Sequence, residues 1–477
     1  MFTTATKLED VFKNLTPTPL EDPREYKAFY CKELNELRGM DKIALLARGL
    51  ERSYHANFFK ALVMGHVGVG KSTELTRLEH LAEEQYRVIR FSADKCLDPL
   101  SFQPFDVLLL MMMEIVEHTA KPIEKGGAGQ RPSEERLKEI WDWFSKEETT
   151  IKQTNATEVA AGAGMDTQGA LWWGKALGLF AKLKGEIRFG NVREKERIEY
   201  RLNRLDTLVD IANRLIQECN QSLRDAARRE WLFVGDGFEK DFIAARTEQL
   251  LVTYANFFKR LETHFIFTIP IALGYSQRAN LLPVQRELVV CIPDTMIFDQ
   301  KHDRHPKGRE VLTKVVAARM DLALFAPDQL ERLIVASGGN LRNLFSMINL
   351  ACDLALVGGA KQLAASFVTS VIKDLRNDYL RLLGEDLYDR QTEEGKPRSE
   401  PITYEKKAAR LLDIYAGKPT AKIFDPTLNS LLRSRAVQEF VNGDTWFGVH
   451  PLVVDILISQ EKLKPAQGES IVPGGTT

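Results

Sequence analysis

The stretch that decides the fold of this chain is Gly65-His66-Val67-Gly68-Val69-Gly70-Lys71-Ser72, followed by Thr73. It matches the pattern G-x-x-x-x-G-K-[ST] of a phosphate-binding loop. The mostly apolar residues 58–64 before it predict a short buried strand, and residues 73–78 open an amphipathic helix. Glycines let consecutive backbone N–H groups turn around an anion, and the helix N-terminus adds partial positive charge. We therefore expect Gly65–Thr73 to bind a nucleoside triphosphate, with Lys71 at the β- and γ-phosphates and Ser72 on Mg²⁺.

The composition is that of a soluble globular protein with several domains. The chain has 477 residues, of which 44% are hydrophobic and 27% are charged, and its net charge is −1. This balance argues against a histone-like nucleic-acid binder. The cysteines are scattered singly, which favours a reducing cytosol over zinc sites or disulfides. We expect a cytoplasmic protein, because we find no signal peptide and no apolar run of membrane-spanning length.

A second buried strand ends in acidic residues that are candidates for metal binding and catalysis. Residues 231–234 are apolar and lead into Gly235-Asp236-Gly237-Phe238-Glu239. A carboxylate at the carboxyl end of a strand beside the loop strand would hold Mg²⁺, so Asp236 joins Ser72 as a predicted metal ligand. Glu239 would orient the attacking water. The alternative is a strand that simply ends in a polar turn.

Two further polar residues are candidates for contact with the γ-phosphate. Thr268 ends the next predicted strand, although threonine is also a common strand residue. The pair Gly338-Gly339 predicts the end of one helix, and Asn340 predicts the cap of the next. Arg342 then lies in a first helical turn, where an arginine can reach a phosphate or remain solvated.

Strands and helices alternate through this part of the chain, with another strand predicted at 288–292. The pattern predicts an α/β fold with a doubly wound, mostly parallel sheet that binds ligands at its carboxyl edge. We expect an N-terminal helical collar at 1–50, a P-loop domain at 51–325, a helical lid at 326–390, and a flexible tail at 466–477.

Residues from about 121 to 195 are predicted to form an insertion in the P-loop domain. A helix over 171–189 would place four apolar residues on one side and Lys175, Lys182 and Glu186 on the other. The four are Trp173, Leu177, Phe180 and Ile187. A hairpin packed on its own domain is favoured over a surface for a partner or a membrane. Residues 197–223 predict one long helix.

The C-terminal residues 402–465 predict a winged-helix-like unit that follows a linker at 389–401. Helical patterns at 408–415 and 425–434 precede two strands that flank Asn442-Gly443-Asp444, a strong hairpin signal, and a last helix follows. Residues 403–463 hold eight Lys or Arg against seven Asp or Glu. Because DNA binding requires clustered positive charge, this balance favours an intramolecular or protein-docking role over DNA binding.

Together these motifs resemble the AAA+ class of P-loop ATPases, specifically its origin-recognition and STAND (signal-transduction ATPase) branches. The resemblance spans about residues 25–460. It implies ATP and Mg²⁺ as cofactors, slow hydrolysis, a first-sensor role for Thr268 and a lid-sensor role for Arg342. The residues it implies in catalysis are Lys71, Asp236, Glu239, Thr268 and Arg342.

The sequence departs from the AAA+ pattern at two places. Gly237 stands where many members have the catalytic glutamate, so hydrolysis would depend on Glu239. Ile269-Pro270 replaces an arginine that commonly follows the sensor strand. The arginine at the γ-phosphate is therefore unassigned, and the candidates are Arg278, Arg304 and Arg319.

The resemblance implies an ATP-driven switch, in which nucleotide state controls the positions of the lid and the winged helix. ATP binding would promote homo-oligomerisation or engagement of an unidentified effector protein, for instance in a bacterial signalling or defence system. The first alternative is a DNA-binding ATPase similar to an initiator or a transposition regulator. The second is a nucleotide-binding scaffold with negligible turnover.

Overall fold

A five-stranded parallel sheet forms the core of the structure, a computed structural model that describes residues 2–154, 170–189, 195–240, 242–391 and 397–464. Its strands are β1 (Lys60–Met64), β2 (Tyr86–Ser92), β3 (Glu230–Asp236), β4 (His264–Thr268) and β5 (Val289–Cys291). Their order across the sheet is β2-β3-β4-β1-β5, and every neighbouring pair is parallel. The predicted parallel α/β sheet is confirmed.

Both faces of this sheet are buried. Alternate residues of a strand point to opposite faces, and in β3 Leu232 and Val234 belong to one apolar cluster while Phe233 belongs to another. Helices therefore cover the sheet on both sides, as in a doubly wound fold. The predicted strand bounds were slightly wide, because Phe58 is 40% exposed ahead of β1, and β5 is preceded by a 3₁₀ turn.

Helices precede and connect the strands of the sheet. They are α1 (Leu8–Asn14), α2 (Pro23–Phe29), α3 (Glu33–Leu37), α4 (Lys42–Ser53), α5 (Lys71–Ala82), α6 (Ala93–Cys96), α7 (Pro104–Ala120), α8 (Glu134–Thr154), α9 (Ala170–Phe189), α10 (Lys195–Asn203), α11 (Leu205–Ala227), α12 (Ala244–Glu248), α13 (Ala255–Arg260) and α14 (Ile271–Tyr275). Short 3₁₀ turns lie at Ile123–Lys125, Gln277–Leu281 and Arg286–Leu288, and a π turn lies at Gln249–Thr253.

The inserted helices pack on the sheet domain, with two differences from the prediction. In α9, Phe180 and Ile187 are buried as expected, but Leu177 is 40% exposed because Ala176 and Leu183 take the inward positions. The single helix expected at 197–223 was wrong: α10 and α11 are separate. They break at Arg204, whose guanidinium stacks 5.3 Å from the ring of Trp143, a long-range contact. The stretch 159–164 lies outside the described residues.

A helical segment follows the sheet. It consists of α15 (Pro306–Ala317), a 3₁₀ turn at Leu322–Leu324, α16 (Gln329–Ala336), α17 (Leu341–Val357), α18 (Ala365–Leu382) and α19 (Leu387–Arg390). Gly338 and Gly339 both have positive φ and separate α16 from α17. The Asn340 side chain accepts a hydrogen bond from the backbone N–H of Asn343 at 3.2 Å. The predicted glycine stop and asparagine cap are both confirmed.

The C-terminal helices and hairpin are present where the pattern placed them. They are α20 (Tyr404–Tyr415), a 3₁₀ turn at Pro419–Lys422, α21 (Pro426–Arg433), β6 (Val437–Asn442), β7 (Asp444–Val449) and α22 (Pro451–Ser459). The prediction of a linker at 389–401 was wrong at its first residue, Asp389. This side chain is fully buried, and its Oδ2 lies 2.6 Å from Lys407 Nζ. The predicted tail at 466–477 and residues 392–396 lie outside the described residues. Across the described helices, none is long and apolar enough to cross a membrane.

Candidate nucleotide-binding site

A cavity of about 590 Å³ lies over the carboxyl edge of the sheet and holds most of the predicted site. It has two ends. We call one the loop end, lined among others by Gly68–Thr73, Arg90, Asp236, Glu239 and Arg342. We call the other the aromatic end, lined among others by Phe29, Tyr30, Leu34, Val315, Arg319 and Phe345.

The loop end is built around the N-terminus of α5. Gly68 has a φ of 94°, and a Cβ there would collide with the side chains of Asn340 and Arg342, so this position requires glycine. Lys71 is only 3% exposed. Its Nζ donates to the carbonyl oxygens of Gly65 at 2.9 Å and His66 at 3.0 Å, inside the loop. The lysine is thus held at the place where a phosphate would enter.

Both predicted carboxylates form ion pairs with internal cations. Lys71 Nζ lies 3.2 Å from Glu239 Oε1, and the buried Oε2 has no hydrogen-bond partner among the described residues. Asp236 Oδ1 accepts from the Gly237 N–H at 2.8 Å, and Oδ2 accepts from Arg90 at 2.8 Å. A buried carboxylate oxygen without a partner is costly, so Glu239 Oε2 is a ready acceptor for a ligand or water.

Gly237 is explained by its surroundings. Its φ is 79°, and a Cβ there would lie 2.5 Å from Asp94 Oδ1. The Asp94 carboxylate is itself held by Ser92 and Lys240. A side chain at position 237 would have to adopt a left-handed backbone conformation and displace the Asp94 carboxylate, which disfavours a glutamate there. Glu239, two residues further on, lines the cavity.

Arg90 belongs to the site and was missed by the sequence analysis. It lies on β2, beside the strand that carries Asp236, and it lines the cavity. Burial lowers the pKa of Arg90, but the charge and hydrogen bond of Asp236, together with the charges of Glu79 and Glu21, leave that pKa above its usual value. The sequence signal that could have identified Arg90 is a charged residue near the carboxyl end of an otherwise half-buried strand.

The first turn of α17 closes over the loop. Asn340 Nδ2 donates to the carbonyl of Val67 at 2.9 Å, and the Arg342 N–H donates to the carbonyl of Gly68 at 3.4 Å. The Arg342 side chain lines the cavity. Burial and the nearby Arg435 lower its pKa, while Glu239 opposes that shift. Asn340 is therefore both the predicted helix cap and a loop contact that the sequence did not reveal.

Thr268 and two loop residues are placed outside the cavity lining. Thr268 is fully buried, and its Oγ1 accepts from the backbone N–H of Phe238 at 3.1 Å. It supports the turn that carries Glu239, and its sensor role stays a prediction. Gly65 and His66 lie at the back of the loop rather than in its lining.

Of the three candidate arginines, Arg319 reaches the cavity. Arg278 pairs with Glu248 at 2.7 Å, and Arg304 pairs with Glu331 at 3.0 Å, both away from the lining. Arg319 lies at the aromatic end, so it does not join the loop residues that would meet a γ-phosphate.

The aromatic end surrounds Arg319 with rings. Its guanidinium lies 4.8 Å from the Phe29 ring centroid and 5.1 Å from that of Phe345, and Nη1 donates to the Val315 carbonyl at 2.9 Å. Burial lowers its pKa to about 10. These three side chains line the cavity, and flat rings beside a guanidinium plane are the kind of groups against which a planar base would pack.

The collar also contacts the loop directly. The Leu20 N–H donates to Thr73 Oγ1 at 3.3 Å, and the buried Arg38 donates to the Val69 carbonyl at 2.7 Å. Residues before β1 therefore line one side of the cavity.

The side chains that could bind a metal ion at the loop end suit Mg²⁺ bound together with a nucleotide better than Mg²⁺ bound by side chains alone. Within the described ranges, no group of three His, Cys, Asp or Glu side chains is arranged to hold a metal ion. Mg²⁺ typically binds through one or two carboxylates together with substrate phosphates and water. Ser72 and Asp236, which both line the cavity, fit that mode.

Behind the loop, His66 meets the C-terminal hairpin at what we call the loop–hairpin junction: His66, Asp294, Gln438 and Glu439. His66 Nδ1 lies 2.6 Å from Asp294 Oδ2, and both side chains are buried. The Asp294 N–H donates to the Glu439 carbonyl at 2.9 Å. Gln438 Nε2 donates to the Gly338 carbonyl at 2.8 Å, next to α17. One buried network thus links the loop, the α16–α17 turn and the hairpin.

Comparison with known proteins gives structural similarity alone. No family model matches the sequence, and no curated protein matches it. Similar solved structures include the Aeropyrum pernix ORC1 protein in complex with DNA, at 13% identity and a TM-score of 0.38, covering 93% of this chain and 96% of that one. The A. pernix ORC2 protein (ADPNP-ADP complexes) is 12% identical, with a TM-score of 0.40 and coverage of 88% and 93%.

A third similar structure is Cdc6p from Pyrobaculum aerophilum, at 12% identity and a TM-score of 0.33, covering 95% of this chain and 99% of that one. The three structures are of origin-recognition and Cdc6 proteins. Because the TM-scores are under 0.5, the function has to be argued from the geometry of the site.

Proposed function

We propose that this chain binds ATP with Mg²⁺ in the cavity, hydrolyses it slowly, and acts as a nucleotide-dependent switch. The observation that carries the proposal is the convergence of Lys71, Glu239, Asp236 and Arg342 on one cavity at the carboxyl edge of the sheet. These are the residues that the AAA+ resemblance implies in catalysis, apart from Thr268.

The chemistry follows from the groups at the loop end. Bound Mg²⁺, held by Ser72 and Asp236, would neutralise phosphate charge. Lys71 would leave the loop carbonyls and bind phosphate oxygens instead. Because Lys71 also pairs with Glu239, this change would release the Glu239 carboxylate. Glu239 would then orient a water for attack on the γ-phosphate, and Arg342 would stabilise the charge that develops there.

The switch is supported by the loop–hairpin junction. Any ligand that shifts the backbone of His66 acts on Asp294, and through it on the hairpin. A ligand shifts a conformational equilibrium only through contacts that differ between the two states. The hydrogen bonds from His66, Asn340 and Gln438 each join two parts of the chain, and we propose that they differ between the nucleotide-free and nucleotide-bound states.

The output of the switch is proposed as self-association or engagement of an effector protein, in a STAND-like manner. DNA binding by the C-terminal unit is the less favoured candidate. Arg433 lies 4.6 Å from the ring of Tyr388, and Arg410 pairs with Asp425, so both cations already have partners within the chain. This supports a docking role for the unit.

The experiment is ATP hydrolysis by the purified chain, with and without duplex DNA, for wild type and Glu239→Gln. We expect slow turnover that DNA does not change and a loss of about 100-fold in the variant, a typical contribution of a positioned general base. Glu248→Gln, away from the cavity, is the matched control and should retain turnover. DNA-stimulated turnover would favour the initiator-like function, and tight ATP binding without turnover would favour the scaffold.

A further inference from the structure

Arg90 makes an unusual set of contacts for a strand residue. Its Nη2 donates to Asp236 Oδ2 at 2.8 Å and to the Ser72 carbonyl at 2.9 Å. Its Nη1 donates to Thr76 Oγ1 at 2.9 Å and to Glu79 Oε1 at 3.3 Å. One guanidinium therefore connects the end of β3 to the first three turns of α5.

This arrangement follows from the register of the sheet. Ser92 on β2 lies opposite Asp236 on β3, and Arg90 lies opposite Val234. Residues in register on parallel strands share a face, so Arg90 lies two residues before Asp236 on the face that α5 covers. The arginine is 16% exposed and lines the cavity.

Nη2 of Arg90 contacts the carboxylate of Asp236 and the backbone carbonyl of Ser72. Asp236 and Ser72 are the two predicted magnesium ligands. Asp236 has one carboxylate oxygen on the Gly237 N–H and the other on Arg90. A divalent cation bound by Asp236 has to take over the oxygen that Arg90 holds, or share it. Like charges a few ångströms apart repel strongly where water is excluded. The arginine and the cation therefore compete for the same carboxylate.

We propose that Arg90 is a positioning residue that stands in for the divalent cation until the metal nucleotide binds. It holds Asp236 in place and supplies positive charge to the phosphates when the cation is absent, and it releases Asp236 when the cation enters. Nucleotide binding by this chain then depends less on Mg²⁺ than it would without Arg90. The inference rests on the proposed function and deepens it at the same site.

The test is equilibrium binding of ATP to the full chain, in Mg²⁺ and in EDTA, for wild type and Arg90→Gln. The quantity is the ratio of Kd in EDTA to Kd in Mg²⁺. Arg90→Gln removes the positive charge that replaces the cation in EDTA, so ATP binding in EDTA should weaken. It also removes the group that competes with Mg²⁺ for Asp236, so competition for this carboxylate is relieved in Mg²⁺. We expect the ratio to rise by about tenfold, the order expected of charge-assisted hydrogen bonds.

Two further variants make the result specific. Arg87→Gln removes an arginine from the same strand, three residues earlier and on its other face, and should leave the ratio at the wild-type value. Arg90→Lys keeps the charge but cannot reach four acceptors, so its ratio should lie between those of wild type and Arg90→Gln. If Arg90→Gln does not fold, as judged by its Tm, the Arg90→Lys ratio decides.

Equal weakening of both Kd values, with an unchanged ratio, would overturn the inference and leave Arg90 as a structural ion pair. That outcome is distinct from failure of the proposed function. If wild type binds no ATP in either buffer, the proposed function fails and the inference fails with it.

Discussion

The two ends of the cavity are built in different ways. The loop end is built around one continuous strand–loop–helix segment, β1 to α5. Charged residues from β2 and from the end of β3 complete it, and they form the pairs Lys71–Glu239 and Arg90–Asp236. The aromatic end is assembled from α2, α15 and α17, which lie far apart in the chain. Its central feature is Arg319 between Phe29 and Phe345.

Under the proposed function, the two ends of the cavity would have different tasks in binding one nucleotide. Phosphate recognition relies on backbone N–H groups and a fixed cation, which a short local motif can supply. Recognition of a base needs a shaped apolar surface, which only tertiary packing can create. We expect changes at the loop end to affect every phosphate ligand, and changes at the aromatic end to affect only ligands with a base.

Lys71→Ala should have the largest effect. The variant loses the buried ammonium that would bind the β- and γ-phosphates, so Kd for ATP should rise by about 100-fold, equivalent to about 3 kcal/mol. Binding of inorganic tripolyphosphate should weaken to a similar degree. Both affinities can be measured by titration calorimetry in Mg²⁺.

The matched control is Lys60→Met, at the other end of β1, where the ammonium donates to the carbonyls of Phe258 and Lys259. It should bind ATP within about twofold of wild type, because surface and remote substitutions have small effects. ATP affinity that is unchanged in Lys71→Ala would mean that the loop is not the binding site.

Phe345→Leu should have a smaller and more selective effect. It reduces the ring surface at the aromatic end, so ATP affinity should fall by about fivefold, or about 1 kcal/mol. Tripolyphosphate affinity should stay at the wild-type value. Phe367→Leu, on α18 beside Gly358, is the control and should change neither. Equal losses for ATP and tripolyphosphate would contradict a base site at this end.

Most of the loop end was predictable, because the sequence signals for it are local. The glycine spacing, the following helix and the acidic turn after β3 are read along a few consecutive residues each. The stop at Gly338–Gly339 and the cap at Asn340 were predictable for the same reason. The roles of the site residues remain proposals, although the structure brings Lys71, Asp236, Glu239 and Arg342 to one cavity.

The remaining features depend on contacts between distant segments. Arg90 reaches Asp236 because of the β2–β3 register, which no local pattern gives. At the helix break, Arg204 contacts Trp143, about sixty residues away in the chain, and the buried Asp389 pairs with Lys407. In each case tertiary packing outweighed local propensity.

The proposed function requires that a nucleotide binds at the loop 65–73 and that this binding is coupled to the C-terminal hairpin of β6 and β7. Hydrogen exchange of the full chain, with and without saturating ATP and Mg²⁺, tests both parts in one measurement. We expect slower exchange at 65–73, together with a changed rate in β6 at 437–442. Unchanged exchange at 65–73 would contradict the binding site, and a change there without any change in the hairpin would contradict the coupling.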